Sequence, residues 1–256
     1  MEFVGKSAPL SSDGFDAAID TLGTGAGEVW SVLSVETAGC GFFADRRPQL
    51  LFERHVFHRK TNGAFDATHP GISSAVPGGY LGGAREFDRL AEAAALDRHA
   101  ALESASWGIG QVMGGNAAIA GFADVESMVA ATIDGEDAQL AATAAFISSE
   151  GLDGALAAHD WKTFARGYNG PGFAKNQYDV RLAAAFASFA AGVVPDLTVR
   201  RAQVLLLFAG FDPGRIDGIN GKRTRSAVVR FRKLNGLPLS EEIDDDLLAA
   251  LDASLS

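Results

Sequence analysis

The chain has 256 residues, of which 47% are hydrophobic and 21% are charged, so it can bury a full core and is not a disordered protein. Residues 1–195 carry 13 Lys and Arg against 23 Asp and Glu, whereas residues 196–256 carry nine of each class. This acidic main body argues against a nucleic-acid partner, which would require a basic surface. The single cysteine, Cys40, excludes an intramolecular disulfide and a cysteine-based zinc site.

The ends and the apolar segments carry no targeting or membrane pattern. The N-terminus has neither the basic region nor the apolar region of a secretory signal, which predicts synthesis as a soluble protein in a cytoplasm. The alanine-rich segments 90–101 and 182–191 are too short, and have too many charges at their borders, to cross a bilayer. We therefore expect no stable membrane insertion.

Helical periodicity dominates the first 191 residues. Phe15, Ile19 and Leu22 share one face of a first predicted helix, and a second helix ends at Gly39. Residues 46–57 alternate and are aromatic, which predicts one or two short strands. Further helices are predicted at 84–101, 109–120, 124–132, 135–149, 151–158, 160–167 and 174–190.

Two segments predict loops. Residues 61–83 are rich in Gly, Pro and Ser, and such a long loop in a compact domain is often functional. Residues 192–198 predict a linker between a domain at 1–191 and a domain at 199–256. Three apolar stripes in the second domain predict a small three-helix bundle. The expected fold class is mainly α, with a small β-hairpin in the larger domain.

Glu36 is the first candidate for chemistry. It lies on one face of the second helix with Val29, Val32 and Leu33, and it occupies the last turn, where the helix dipole is negative. Both the apolar surroundings and the dipole disfavour the charged carboxylate and so raise its pKa. A carboxylic acid that stays neutral near pH 6–7 suits a general acid for glycoside cleavage. The alternative is a helix-end glutamate that faces solvent.

Two glycine-rich segments add candidate binding residues. In the segment 104–114, small residues let the backbone approach a ligand, and Gln111 offers a donor and an acceptor for hydroxyl or acetamido groups. Trp107 could stack on a sugar or pack in the core. In the segment 166–173, Tyr168 and Asn169 precede a Gly-Pro turn, which is also typical of an ordinary helix connector.

Taken in order, these motifs resemble those of the lysozyme superfamily. Glu36 in V-E-T-A-G, then S-W-G-I-G-Q-V-M, then Y-N-G-P-G follow the order of goose-type lysozymes and soluble lytic transglycosylases. The N-acetylmuramidase family of phage endolysins is more similar still, because it has counterparts of V-E-T-A-G-C-G-F, R-P-Q-L-L-F-E-R-H-V-F and S-W-G-I-G-Q-V-M-G. The resemblance covers roughly residues 10–190. It implies a lysozyme-like α+β domain in which Glu36 is the acid and Trp107, Gln111, Tyr168 and Asn169 bind substrate.

The C-terminal segment resembles the three-helix peptidoglycan-binding domain. The run D-G-I-N-G-K-R-T-R-S-A-V-V-R-F-R at 217–232 follows the pattern of that family, and Arg232 stands where the family usually has Gln. The resemblance implies that this module binds the wall through Asp217, Gly218, Thr224, Phe231 and Arg232. Residues 215–233 hold seven basic residues against one acid, which predicts either a solvated helix face or attraction to the acidic peptide stems of peptidoglycan.

A second catalytic carboxylate is less clearly marked. Glycosidases usually use two, either close together or farther apart with a water between them. Glu53 lies beside Arg54 and His55 on a predicted strand, so it is a candidate base or a partner for those cations. Glu103 precedes the S-W-G segment, near the place where goose-type lysozymes have a water-activating carboxylate. Lytic transglycosylases lack that group, and a sugar hydroxyl completes their reaction.

The five histidines predict no metal site and the sequence implies no cofactor. His55 and His58 would project to opposite faces of a strand, so they do not form a ligand pair. This leaves little support for a zinc amidase.

The resemblances predict a monomeric endolysin that hydrolyses the β-1,4 bond between N-acetylmuramic acid and N-acetylglucosamine. Its partner would be bacterial peptidoglycan, and it would act in the periplasm after release from the host cytoplasm. Two alternatives stay open: a lytic transglycosylase that forms 1,6-anhydro ends, and a non-catalytic wall-binding or phage structural protein.

Overall fold

The computed structural model describes residues 2–37 and 39–255. Ala38, which belongs to the V-E-T-A-G segment, lies outside the described residues. The α-helices are α1 (Ser12–Leu22), α2 (Ala26–Glu36), α3 (Arg54–Lys60), α4 (Glu86–Leu96), α5 (Arg98–Glu103), α6 (Val125–Asp134), α7 (Glu136–Ser149), α8 (Asp153–Ala157), α9 (Trp161–Asn169), α10 (Tyr178–Ala190), α11 (Leu197–Phe208), α12 (Lys222–Leu234) and α13 (Asp245–Ser254). Short 3₁₀ helices lie at Gly83–Arg85, Gly114–Asn116 and Phe173–Asn176.

Three short strands form one antiparallel sheet: β1 (Leu50–Phe52), β2 (Ala105–Trp107) and β3 (Val112–Met113). The fold class predicted from the sequence, mainly α with a small hairpin and a three-helix C-terminal bundle, is confirmed. Across residues 2–37 and 39–255, no helix combines the length and the apolar character needed to cross a bilayer.

Helix α2 forms where the sequence predicts it. The Glu28 carboxylate accepts a hydrogen bond from the Gly25 amide at 3.1 Å, which satisfies a donor at the helix start. Its apolar face is buried, and the Gly39 amide donates to the Leu33 carbonyl at 3.1 Å beyond its end. Gly39 has a φ of 90°, a conformation that favours glycine. Glu36 therefore sits in the last turn of a helix whose other face is fixed in the core.

The helix predicted at 109–120 is wrong. Gly108 and Gln111 have φ values of 70° and 52°, so the chain turns back after β2 and Val112 pairs with Trp107. A 3₁₀ turn follows at Gly114–Asn116. The pairing of β2 with β1 continues the sheet, with Leu51 opposite Ser106.

The prediction of strands over 46–57 is right for β1 and wrong after it. Helix α3 starts at Arg54, so His55 and His58 lie three residues apart on a helix and share a face, contrary to the strand-based expectation. Within the described part of the chain, no group of three or more His, Cys, Asp or Glu side chains is arranged to hold a metal ion. The helix predicted at 84–101 is divided at Asp97, whose side chain accepts from the Ala100 amide and starts α5.

The larger domain has two hydrophobic cores. One is formed mainly by α1, α2, α7, α9 and α10 and includes Trp30, Leu33 and Phe164. The other lies under the sheet and α4–α6 and includes Phe52 and Trp107. Helix α7 contributes to both cores. The turn between β2 and β3 crosses from one core to the other, so it lies beside the C-terminal end of α2.

Helices α11–α13 surround a core of their own, but the module is also joined to the larger domain. Cys40 and Phe42 pack with Val204 and Ile216 in a small shared core. Burial raises the pKa of Cys40 to about 12, with the Glu136 carboxylate adding to the effect, so this thiol is neutral and serves as an apolar group.

A buried ion pair crosses the same junction. Nη1 and Nη2 of Arg200 on α11 lie 2.7 and 2.8 Å from the two carboxylate oxygens of Glu136 on α7, and both side chains are fully buried. The Glu136 carboxylate also accepts from the amides of Leu10 and Gly41. A pair with all its partners in place is stable, but removal of one member leaves a buried charge without compensation.

We expect Glu136→Gln to lower the free energy of unfolding by about 3–5 kcal/mol, because the Arg200 cation stays buried without its anion. Urea denaturation of the full chain measures this change. Asp134→Asn is the matched control, because Asp134 pairs with Lys6 at the surface and such a pair contributes about 1 kcal/mol or less. Equal losses in the two variants would contradict the importance of the buried pair.

Candidate active site

Glu36 is joined directly to Asn169 at the end of α9. The Asn169 side-chain amide donates to one Glu36 carboxyl oxygen at 3.0 Å. Glu36 is partly exposed, so it is accessible from outside while most of its helix is buried. The structure thus brings together two residues that lie 133 positions apart in the sequence.

The turn between β2 and β3 is the third part of this site. The Thr37 hydroxyl donates to the Ile109 carbonyl at 3.1 Å, and the Tyr168 hydroxyl donates to the Gly110 carbonyl at 2.6 Å. Tyr168 is held in place by a parallel stack on Phe164, with 5.5 Å between ring centroids. The three segments singled out in the sequence therefore meet at Glu36.

Two polar side chains of helix α7, Gln139 and Thr143, contact the β2–β3 turn, and neither belongs to the motifs marked in the sequence. The Gln139 side chain accepts from the Ile109 amide at 2.7 Å and donates to the Thr132 carbonyl at 2.9 Å. A Cβ atom at Gly110 would lie 2.0 Å from the Thr143 hydroxyl, so glycine is required there. In the sequence, the only indication of this role is that Gln139 and Thr143 lie four residues apart and so share one face of a largely apolar predicted helix.

The surroundings of Glu36 favour its protonated form. Burial raises the pKa of Glu36 to about 7, against the opposing effects of the Asn169 hydrogen bond and of the nearby Arg181 guanidinium. The phenol of Tyr178, half-buried on α10, also lies near Glu36, and its pKa is raised by burial and by that carboxyl. Arg181 donates to the Val35 carbonyl at 2.7 Å, at the end of α2. Neither α10 residue lies in the segments that the sequence motifs mark.

Gln111 and Trp107 differ from the sequence expectation. The Gln111 carboxamide is used within the turn: its oxygen accepts from the Ser106 hydroxyl and its nitrogen donates to the Gly108 carbonyl, both at 2.9 Å. Trp107 is buried, packs against Phe87, and donates its indole N–H to the Leu102 carbonyl. Trp107 is thus a core residue and does not present a face to a sugar, which corrects its assignment to substrate binding.

The Asn169 carboxamide keeps one acceptor without a partner. Its Oδ1 atom is buried and has no hydrogen-bond partner among residues 2–37 and 39–255. A buried acceptor that stays unpaired is costly, so this atom is suited to accept from a ligand or a water beside Glu36.

Glu53 and Glu103 line a separate pocket of about 460 Å³, together with His55, Lys60 and Met113. The Tyr80 hydroxyl donates to Glu53, and the His55 Nδ1 atom lies 3.1 Å from it. Glu103 pairs with Lys60 at 2.6 Å. Glu36 is not among the residues that line this pocket, so the structure places Glu53 and Glu103 beside each other rather than beside Glu36.

The residues expected to bind the wall fall into two groups. Asp217 is partly buried and its carboxylate accepts from the Gln203 side chain, while Gly218 has a φ of 71° and the Asp196 backbone within 2.8 Å of the place of a Cβ atom. Thr224, Phe231 and Arg232 are buried inside the module. As a correction, these three side chains stabilise the three-helix fold and are not placed to contact a wall polymer.

The exposed face of α12 carries a different feature. A groove of about 500 Å³ is lined by Lys222, Arg225, Val229 and Arg230, with Glu241 at its edge. Arg225 pairs with Glu241 at 3.1 Å. Lys222 and Arg230 are exposed, so the basic segment noted in the sequence forms this cationic groove.

Comparisons with known proteins agree with both resemblances. The model of the family described as N-acetylmuramidase matches residues 26–190, and that of a peptidoglycan binding domain matches residues 196–251. The crystal structure of a Burkholderia AP3 phage endolysin is similar, with 36% identity, a TM-score of 0.66 and coverage of 72% of each chain. No curated protein matches the chain. The family resemblances and the lysozyme-like, endolysin-type fold expected from the sequence are therefore confirmed.

The raised pKa of Glu36 predicts a pH-dependent stability. Between pH 4.5 and about 7 the folded chain holds a proton that the unfolded chain has lost, so the free energy of unfolding falls as pH rises. Glu36→Gln keeps the shape and cannot ionise, so we expect it to gain up to about 3 kcal/mol relative to wild type between pH 4 and pH 8. Urea denaturation across this range measures the gain.

Glu92→Gln is the control, because Glu92 is an exposed carboxylate on α4. Its stability relative to wild type should stay constant over the same pH range. A Glu36→Gln profile parallel to that of Glu92→Gln would mean that Glu36 is charged in the folded protein at neutral pH.

Proposed function

The chain belongs to the N-acetylmuramidase family, and we propose that it hydrolyses the β-1,4 bond between N-acetylmuramic acid and N-acetylglucosamine with Glu36 as general acid. Family membership makes it a glycosidase that cleaves peptidoglycan, and its second domain is of the peptidoglycan-binding type. The observation that carries the proposal is the setting of Glu36. A carboxyl with a pKa of about 7 is partly exposed beside Asn169 and the β2–β3 turn.

The proposed first step is proton transfer. Protonated Glu36 gives its proton to the glycosidic oxygen, the bond from that oxygen to C1 of N-acetylmuramic acid breaks, and N-acetylglucosamine leaves with a free 4-hydroxyl. Positive charge that develops at C1 is favoured by the carboxylate that Glu36 becomes. The Asn169 hydrogen bond supports this change, because hydrogen bonding to a carboxylate stabilises its charged form.

The proposed second step adds water to C1. A carboxylate must take the proton of that water, and the candidates are Glu36 itself after the first step, Glu53 and Glu103. Glu53 and Glu103 are both engaged by neighbours in a pocket apart from Glu36. This arrangement favours secondary roles for them, in the holding of the glycan strand beside the sheet.

The similarity to a phage endolysin supports a role in host lysis. We propose that the monomeric protein acts on the wall in the periplasm after passage from the cytoplasm where it is made. The cationic groove would attract the carboxylates of peptide stems and hold the catalytic domain near its substrate. The proposal needs no metal or cofactor at Glu36.

Digestion of purified peptidoglycan tests the reaction. We expect wild type to release fragments with reducing N-acetylmuramic acid ends, and Glu36→Gln to lose at least about a thousandfold in rate because the proton donor is gone. Mass spectrometry of the fragments gives both the bond and the chemistry. We expect Glu53→Gln and Glu103→Gln to lose less than Glu36→Gln.

Each alternative function has a distinct outcome in this digestion. Fragments with 1,6-anhydro ends would identify a lytic transglycosylase. Absence of cleavage by folded wild type, together with retention on the wall, would identify a binding protein. Normal activity of Glu36→Gln would exclude Glu36 as the acid.

Wall binding tests the cationic groove. The double variant Lys222→Gln/Arg230→Gln removes two exposed charges, so we expect several-fold weaker binding to purified sacculi at low salt. The difference should shrink at about 1 M salt, where charges are screened within about 3 Å. Lys6→Gln/Lys162→Gln is the control, because it removes the same charge from exposed positions in the larger domain. Equal effects of the two double variants would mean that net charge, and not the groove, determines binding.

A further inference from the structure

The segment that follows Glu36 is held by the C-terminal module. The Gly39 carbonyl, three residues after Glu36, accepts two hydrogen bonds from Arg200, at 3.0 Å from Nε and 2.5 Å from Nη2. Arg200 is fully buried and lies on α11, outside the part of the chain that matches the N-acetylmuramidase family. The end of the helix that carries Glu36 is therefore fixed by a residue of another domain.

A second contact from the module reaches the same residue. A Cβ atom at Gly39 would lie 1.9 Å from the Ile216 carbonyl oxygen, so the turn before the D-G-I-N-G segment rests directly on the Gly39 backbone. Cys40, the next residue, packs against Val204 and Ile216. The module thus fills the space beside this segment as well as bonding to it.

Glu136 makes the contact rigid. Its carboxylate pairs with Arg200 and also accepts from the Gly41 amide at 2.7 Å, so Gly39 is bound to Arg200 and Gly41 is bound to Glu136. The Arg200 fork uses its fixed geometry to bind a carboxylate and a carbonyl at once, which a lysine ammonium cannot reproduce. Arg181 on α10 also binds the end of α2, through the Val35 carbonyl.

We propose that Arg200 is a positioning residue for Glu36: through the Gly39 carbonyl it fixes the end of α2 and so sets how deeply the Glu36 carboxyl is buried beside Asn169 and the β2–β3 turn. The peptidoglycan-binding module is then part of the catalytic unit and not a detachable tether. Arg200 is fully buried and acts through Gly39, whose amide donates to the Leu33 carbonyl in the last turns of α2. The inference rests on the proposed role of Glu36 as the acid.

The test uses the full chain and short soluble glycan fragments of peptidoglycan, so that wall binding does not limit the rate. Arg200→Lys keeps a cation for Glu136 but loses the double contact with Gly39. We expect kcat to fall roughly ten- to a hundredfold with little change in KM, because small displacements of a catalytic group have effects of this size. Arg201→Met is the control, since Arg201 is on the same helix but pairs with Asp252 within the module.

A pH profile separates positioning from general loss of stability. If the end of α2 loosens, water reaches Glu36 and its pKa moves down towards the ordinary value, so the high-pH limb of kcat should shift to lower pH in Arg200→Lys. The groups that face Glu36 from the packed elements, namely Tyr168, Tyr178 and Arg181, are unchanged in this variant. Unfolding of part of the sample would lower kcat without moving this limb.

The outcomes are distinct. A folded Arg200→Lys protein with the kcat and pH profile of wild type would overturn the inference, as would an equal loss in Arg201→Met. An inactive wild type would instead refute the proposed function. If Arg200→Lys does not fold, Gly39→Ala tests the same contact from the other side, and a folded Gly39→Ala protein with wild-type kcat would also overturn it.

Discussion

The buried carboxylate of Glu136 is the interaction on which the arrangement of the molecule depends. It accepts four hydrogen bonds, from the Leu10 and Gly41 amides and from two nitrogens of Arg200. These donors come from the N-terminal segment, the segment after Glu36 and the C-terminal module. A buried carboxylate is stable only when its oxygens accept enough hydrogen bonds. Loss of any one donor would leave the buried charge poorly compensated, so each donor is held in place. One side chain therefore fixes three distant segments against α7.

This constraint matters because the proposed chemistry needs a carboxyl in two states. Glu36 must be poorly hydrated to keep its proton near neutral pH, yet it must accept negative charge once the proton has left. Burial provides the first condition, while Asn169 and Arg181 provide the second. The balance between these two effects on the pKa of Glu36 depends on how deeply the last turn of α2 is buried in the domain. A helix end that could move freely would expose Glu36 to water and lose the raised pKa.

Much of this site could be predicted from local sequence, and the rest depends on distant pairing. The apolar face that ends at Glu36 predicts α2 because a buried helix repeats its contacts every three to four residues. The same periodicity wrongly predicts a helix at 109–120. The chain turns at Gly108 and Gln111 so that Val112 pairs with Trp107, and these strands are too short to show an alternating pattern. The choice between a sugar-stacking and a core role for Trp107 depends on the register of the sheet, which local sequence does not determine. The sequence does not distinguish Arg200 from the other basic residues of 196–256, because its partner lies 64 positions earlier.

The junction between the two domains also bears on the uneven distribution of charge along the chain. Residues 1–195 carry the whole excess of acidic groups, and a wall rich in carboxylates repels such a body at long range. The C-terminal module has no net charge, but its exposed cationic groove lies on α12 while α11 and the Ile216 turn face the larger domain. A flexible tether would raise the local concentration of substrate near the acidic domain but would not orient that domain relative to the substrate. A rigid junction does more in the proposed function: attraction at α12 would also orient the domain that carries Glu36, because Arg200 and Ile216 join the two domains.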